Sequence, residues 1–514
     1  MSFRLPHFMT SAGKRLAAGR QRPTSPTAAA PAPSKPAETE GAALRRRADE
    51  LAEAARGQLE RGEIPDHLAD AYAAELACAD SAYEAGRSAE AAGSLAKALL
   101  LAFHRVPQVD SLTTPVSDDA SGFTAPLRAS STAMAVVAPR GRRTPAARRP
   151  ADRPLRLLFV THGNANFLKL LVEHYQDHPE VDVRTLDLGQ DEEMAPLAKG
   201  LKRMAHAALG GEAEYREAVE RALRPHLDWA DTVFVEWCTG AAAFLTLVDP
   251  GSTRIVVRLH RFETFSFWPH VIDFSRVDDL LFIADHMIDL TTDVVPRLLE
   301  AGGPRLQRTD NAVELGRFVR PKGEGARFTV GLVGMAQVAK DPLWAVQVLR
   351  ALREQDERYR LVLVGNGMNP DVSPAARAYH DRLEAELTEL EATGAVERLG
   401  QSDDVPGLLT GVGTILSSSV REGCHVGLME GAASGAVPVV RDWPMVAGRP
   451  HSARTLFPQE WVVDTPERAA ARILALTGDE ETWRKAGQEA SAHALATWDW
   501  EVVRPDYDRL LLGS

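Results

Sequence analysis

From Leu155 onward, short apolar runs alternate with longer stretches in which apolar residues recur every three or four positions. The first pattern marks buried strands and the second marks amphipathic helices. Strands are expected at Leu155–Thr161, Val181–Leu188, Thr232–Trp237, Arg254–His260 and Asp279–Ala284. A second set is expected at Phe328–Gly334, Arg360–Gly367, Ala395–Gly400, Thr414–Ser418 and Ala436–Val440. Helices fall between them at Pro342–Arg353, Pro374–Ala392 and Val426–Ala433, with Pro466–Thr477 and Glu481–Thr497 near the end. A strand followed by a helix and then another strand returns the chain in the same direction, so both sheets are expected to be largely parallel.

The N-terminal third has a different texture. Ala42–Arg105 is rich in Ala, Glu and Leu at helical spacing, which places helices near 42–61, 66–85 and 88–104, with Gly62, Pro65 and Gly86 as breaks. Its Tyr83, Gly86, Ala92 and Ala98 look like half of a tetratricopeptide repeat, but no further copy follows. A docking or oligomerisation bundle and a packing appendage stand as equal readings of this segment. On either side lie stretches poor in apolar residues. Residues 1–37 are basic and then rich in Pro and Ala, and read as a disordered tail, with a weak anchor on an anionic membrane as the second reading. Residues 107–154 read as a flexible linker, Ser/Thr/Asp-rich and then holding Arg140, Arg142, Arg143, Arg148, Arg149 and Arg153 against the single acid Asp152. The expected domains are therefore 1–37, 38–106, 107–154, 155–312, 313–497 and a C-terminal helix, 498–514, packing back on the first α/β domain. The fold class is α/β, with two Rossmann-like doubly wound domains facing a cleft, preceded by a small helical region and linkers.

Composition narrows the class. A net charge of −12 over 514 residues argues against general nucleic-acid binding. The basic run has no interleaved aromatics for stacking bases. Cys78, Cys238 and Cys424 are too few and too scattered for a disulfide framework or a zinc cluster. No stretch is apolar enough for a transmembrane helix, and the N-terminus lacks the apolar core of a secretion signal, so a cytoplasmic protein is expected, at most peripheral to the membrane's inner face.

The densest chemistry lies in Thr414–Val440, TILSSSVREGCHVGLMEGAASGAVPVV. Glu422 stands just before the expected helix and Glu430 about two turns along it, so both carboxylates can face the crevice at the carboxyl ends of the strands. Free N–H groups near Gly423, Cys424 and His425 offer a diphosphate the positive end of the helix. Carboxylates suit sugar and ribose hydroxyls, so the unit is expected to hold a nucleotide-sugar. Taken singly, either glutamate is an ordinary helix acid; their joint placement in a glycine-framed βαβ unit favours function. Cys424 has no His–acid partner arrangement and reads as a small packing residue, and Asp285 and His286 as capping or packing residues.

REGCHVGLMEGAASGAVPVV, DNAVELGRF (Asp310–Phe318), GLVGMAQVAKDP and LVLVGNG, in that order, resemble the retaining GT-B glycosyltransferases of the large bacterial group 1 family, over about residues 156–512. The resemblance implies roles. Glu422 contacts the donor sugar and Glu430 the ribose. Lys340 neutralises the departing diphosphate beside Gly334, a task suited to any cation near developing phosphate charge. The family commonly carries an Arg after this glycine, where the chain has Met335, so a phosphate charge is missing or comes from elsewhere; Arg421 and Arg258 are the candidates. His260 stands where the family places a residue near the reacting sugar, with Glu263 orienting it or meeting the acceptor. Gly163 and Asn164 border the cleft on the acceptor side. Catalytic residues would thus be His260, Lys340 and Glu422, and donor-binding residues Gly334, Lys340, Arg421, Glu422, Gly423, Cys424, His425 and Glu430.

The implied function is a metal-independent, retaining glycosyltransferase that uses a nucleotide-sugar as substrate and no cofactor, its acceptor left open, with a cell-envelope glycan or glycolipid as one candidate. Its partners would be that donor and an acceptor, with membrane contact or self-association through the N-terminal region. A dinucleotide G-x-G-x-x-G does not form after Gly365, no P-loop motif occurs, and Asp506-Tyr507-Asp508 lies on a terminal helix, a poor metal site. A nucleotide-sugar epimerase of the same architecture and a catalytically silent scaffold remain as alternatives. Met335 and the N-terminal extension favour the scaffold, whereas Lys340, Glu422 and Glu430 oppose it.

Overall fold

The computed structural model describes residues 40–513. The expected tail, residues 1–37, lies outside the described residues. Two parallel six-stranded sheets follow an N-terminal helical region. The first comprises β1 (Leu155–Thr161), β2 (Val181–Asp187), β3 (Thr232–Glu236), β4 (Arg254–Leu259), β5 (Asp279–Phe282) and β6 (Arg305–Arg308), in the order β2-β1-β3-β4-β5-β6. The second comprises β7 (Thr329–Val333), β8 (Arg360–Val364), β9 (Val396–Gly400), β10 (Thr414–Ser417), β11 (Val437–Arg441) and β12 (Val462–Val463), in the order β12-β11-β10-β7-β8-β9. In each, the chain leaves the first strand in one direction and later returns to its other side. The reversal falls between β1 and β3 in one sheet and between β7 and β10 in the other, and such switch points are where open α/β sheets bind ligands.

Strand alternation explains the layers. Leu157 and Phe159 of β1 point to one face, with Phe234 and Val256, under Tyr175 and the C-terminal helix Trp500–Leu512. Leu158 and Val160 point to the other, where a continuous apolar cluster extends into the N-terminal helices. The second sheet packs Leu332, Leu361, Leu363 and Leu416 against the helices Pro342–Arg353, Pro374–Ala392 and Pro466–Thr477. Two strands carry no readable pattern. β6, Arg-Leu-Gln-Arg, is a sheet edge with little burial, and β12 has two residues.

The N-terminal helices Glu40–Leu59, Leu68–Glu84 and Ser88–Ala102 bury alanine and leucine faces on one another. The stretch 107–154 corrects the expectation of a flexible linker. It forms short helices, Pro115–Asp118, Ala120–Ala129 and Ser131–Val136, with Val116, Leu127 and Val136 buried. The residues that look like loop composition are helix caps: Thr114, Asp119 and Ser130 accept from the N–H groups of Ser117, Gly122 and Ala133. The arginine run is equally committed. Arg142 pairs with Asp278 at 2.5 Å, Arg149 with Glu180 at 2.7 Å and Arg153 with Asp231 at 2.6 Å. These acids stand at the amino ends of β5, β2 and β3, so the run braces the end of the first sheet opposite the switch points. Among the described residues, no helix is long and apolar enough to cross a membrane.

Candidate functional site

The second switch point joins two loops. After β7, the chain turns at Gly334, whose backbone takes the left-handed φ of +82°. A Cβ there would meet no atom within 4 Å, so the turn faces open space. The loop ends in a 3₁₀ turn, Val338–Lys340. Asp341 follows with φ +42°, a strained value for a residue with a side chain. Its carboxylate accepts from the Tyr379 hydroxyl at 2.7 Å and from Arg441 at 2.6 Å, which holds the strained residue in place. The Ser418 hydroxyl donates to the Lys340 carbonyl at 2.5 Å, locking this loop to the one after β10.

In that second loop Glu422 is buried, at 4 % exposure, and its Oε1 lies 2.5 Å from Lys340 Nζ and 2.7 Å from the Ser419 hydroxyl. Burial alone would raise its pKa. The Lys340 charge, with His425 and Arg261, overrides this and holds Glu422 down at about 2. The pairing spans 82 residues of sequence and brings together the two groups expected to face the donor. His425, buried beside Lys340, is pushed down to about 4 and stays neutral, with Nδ1 unpartnered. Burial lifts the Cys424 thiol to about 12, and Asn311 donates to its sulfur at 3.1 Å, so Cys424 is an unreactive packing group. Gly423 is close-packed rather than open: a Cβ there would lie 2.6 Å from Ile283 of the first domain. Glu430, on the helix Val426–Ala433, is half-buried, and burial pushes it up to about 7. It lines an interdomain cleft of about 270 Å³ with Asn166, Phe167, Val313, Arg317 and Val426.

Two arginines are corrected. The guanidinium of Arg421 donates to the carbonyls of Val109 (2.7 Å) and Leu112 (3.1 Å), so it is buried against the N-terminal region instead of facing a phosphate. Arg258 is fully buried and held by Glu236 at 2.6 Å and by the Tyr507 hydroxyl at 2.6 Å. Both side chains are consumed by contacts more than 200 residues apart in sequence or by a buried carboxylate, which no local pattern announces.

At the first switch point, His260 Nε2 donates to Glu236 Oε1 at 2.6 Å, and the imidazole packs against Trp237 and Phe167 with ring centroids 4.2 and 4.9 Å away. Glu263 is fully buried. Its Oε1 accepts from the backbone N–H groups of Cys238 (3.0 Å) and His260 (3.2 Å), its Oε2 has no partner, and burial raises its pKa. The Asn164 carbonyl accepts from the Trp237 indole at 3.1 Å and so borders this aromatic cluster, whereas Gly163 donates to Asp187 at the end of β2. Glu236 and Trp237 were missed from sequence. Trp237 has φ +72°, an outlier for so bulky a residue. The signal available was a glutamate closing an otherwise apolar run, 233–235, with the tryptophan directly after it.

The two switch points meet across the hinge. His286 Nε2 of the first domain donates to the Glu422 carbonyl at 2.9 Å, an interdomain contact where capping or packing was expected. Arg261, also first-domain, donates to Gln337 of the Gly334–Lys340 loop at 2.7 Å. Asp499 Oδ2 accepts from Leu315 N and Gly316 N, fixing the hinge segment 310–318. Asp506 and Asp508 of the D-x-D triplet are taken by Arg509 and by Arg504, His174 and Tyr175.

Comparison with known proteins places this geometry. Residues 327–479 match the model of the family described as Glycosyl transferases group 1. The second domain is therefore a group 1 glycosyltransferase domain, and the two sheets together are a GT-B fold. Among solved structures, HepE of Anabaena with UDP-glucose aligns at TM-score 0.52 and 13% identity, over 70% of this chain and 100% of that one. HepE with UDP and glucose aligns at 0.51 and 14%, with the same coverage. A UDP-forming trehalose-phosphate synthase from Burkholderia xenovorans aligns at 0.48 and 13%, over 70% of this chain and 99% of that one. A comparison with curated proteins found no match.

Proposed function

We propose that this chain, a glycosyltransferase by its second domain, moves a sugar from a nucleotide-sugar held there to an acceptor hydroxyl held by the first domain, with retention at the anomeric carbon. The observation that carries the reading is the Lys340–Glu422 pair beneath the open turn at Gly334, with Glu430 on the same βαβ unit. A diphosphate over the turn draws Lys340 toward its oxygens and frees Glu422 Oε1 for the donor sugar's hydroxyls. Lys340 then stabilises the charge that grows on the leaving phosphate as the glycosidic bond breaks. Glu430, near half ionised at neutral pH, accepts from a ribose hydroxyl. His260, oriented by Glu236, lies across the cleft beside the reacting sugar. In this reading side-chain cations supply the positive charge and the reaction needs no metal.

The test is a panel of UDP-, GDP-, ADP- and CMP-sugars, UDP-glucose first, read by thermal shift and by release of the nucleoside diphosphate with and without EDTA. Ligand at a hundred times its Kd adds about 2.7 kcal/mol to the binding state. Stabilisation by one nucleotide class, lost in Glu430→Ala, supports the reading. An altered sugar without transfer would identify an epimerase instead, and no response from any sugar would leave a scaffold. The anomeric configuration of the product, read by NMR, decides retention.

A further inference from the structure

The second domain brings one lysine to a ligand that carries two phosphates, and neither arginine singled out from the sequence can help it. Arg421 is turned to the N-terminal region and Arg258 to Glu236. A third arginine faces the loop from the other domain. Arg261 lies just past β4, one residue beyond His260, and is partly buried. Its Nη2 donates to Gln337 Oε1 at 2.7 Å, within the loop that runs from Gly334 to Lys340. Its Cβ lies 3.4 Å from the position a Cβ on Gly423 would occupy, which sets it against the Glu422 loop as well. Its charge, like that of Lys340, acts on Glu422. The guanidinium thus sits between the two loops of the second switch point, while its backbone belongs to the first.

Resting on the function proposed above, we propose that Arg261 is a second diphosphate-binding cation, delivered to the donor by the opposite domain. A guanidinium grips two phosphate oxygens at once, and its planar fork already reaches a neutral amide on the phosphate loop, a partner that a phosphate oxygen outcompetes. The loop's own residue at the first position after Gly334 is Met335, which is buried, so the charge comes from across the cleft. Donor binding and the approach of the two domains become one event, because the diphosphate is fully neutralised only when the first domain is in place.

The test compares full-length wild type with Arg261→Met, Arg261→Lys, Gln337→Ala and the double variant Arg261→Met/Met335→Arg, titrated with UDP, UDP-glucose, the GDP, ADP and CMP counterparts, and pyrophosphate. Arg261→Met is expected to lose tenfold or more in nucleoside-diphosphate affinity and in turnover, with Arg261→Lys between it and wild type. Gln337→Ala, which removes the interdomain tie but keeps the cation, should fall by no more than about threefold. Met335→Arg, which puts a cation on the loop itself, should recover part of the loss. Should Arg261→Met not fold, Arg261→Gln keeps a polar side chain at the site and carries the same expectation. Equal affinity in wild type and the Arg261 variants overturns this inference alone, as does a Gln337→Ala loss as large as that of Arg261→Met. Wild type that binds neither nucleoside diphosphate nor pyrophosphate overturns the proposed function along with it.

Discussion

The two switch points hold similar side chains and use them in opposite ways. At the first, the central carboxylate is turned inward: Glu236 holds His260 and Arg258, Arg258 holds Tyr507 of the C-terminal helix, and Tyr507 donates to the Asp310 carbonyl at the hinge. Around this chain Phe167 and Trp237 close over the imidazole. At the second, Lys340 and Glu422 hold only each other and Ser419, beside a turn with open space above it. A buried carboxylate held by a buried guanidinium and an imidazole is committed to the fold. A carboxylate held by one flexible lysine is available to a ligand that offers the lysine something better. The same βαβ architecture thus sets a first switch point, whose buried carboxylate braces the fold while orienting His260, against a second, whose lysine and glutamate hold each other.

The sharpest way to break that contrast is Glu236→Gln. Leaving Arg258 buried without its carboxylate is expected to cost about 3–5 kcal/mol of stability, read by urea unfolding. A loss under 1 kcal/mol would mean the first switch point is not the scaffold. Glu422→Gln is its counterpart, expected to leave a folded protein with turnover lowered about tenfold or more, because an amide makes weaker hydrogen bonds to the donor sugar's hydroxyls than a carboxylate and leaves Lys340 without its partner. Turnover within threefold of wild type would make Glu422 structural.

Acid should separate the two ends as well. His425 is held near 4 in the fold against about 6.5 unfolded, so its stabilising contribution is lost as pH falls from 6.5 toward 4. Glu422, held near 2 against 4.5, contributes fully above 4.5 and loses it as pH falls through about 2. Melting temperature should therefore drop in two stages, and Glu422→Gln should remove the lower one. A single stage unchanged by the substitution would contradict the assignment.

The smallest effect belongs to Glu430. Its carboxylate form grows as pH rises through about 7, so affinity for the nucleoside diphosphate is expected to climb severalfold between pH 6 and 8 and then level off. The same ionisation is unfavourable in the fold, so its share of stability declines over pH 4.5 to 7. Glu430→Gln should flatten the affinity profile, which calorimetric titration at five pH values would check.

Local pattern carried much of the architecture. Helices Pro342–Arg353, Pro374–Ala392, Val426–Ala433 and Pro466–Thr477 were legible residue for residue, because proline starts and apolar periodicity act within a few turns. The spacing of Glu422 and Glu430 was legible for the same reason, since a strand, a loop and a short helix place both from within one stretch. Residues 107–154 were not, because Ser, Thr and Asp serve as readily for helix caps as for loops, and only the surface they pack against decides between the two. What the chain alone could not state was which charges meet. Lys340 finds Glu422 across 82 positions, Arg261 finds Gln337 across 76, and Arg421 finds Val109 across 312. A side chain's reach is a few ångströms and its sequence carries no record of what the fold brings there. The elements and the glutamate spacing therefore followed from the sequence, whereas the partner of each cation was decided by the tertiary structure, because only the fold brings side chains so far apart in the chain within hydrogen-bond reach.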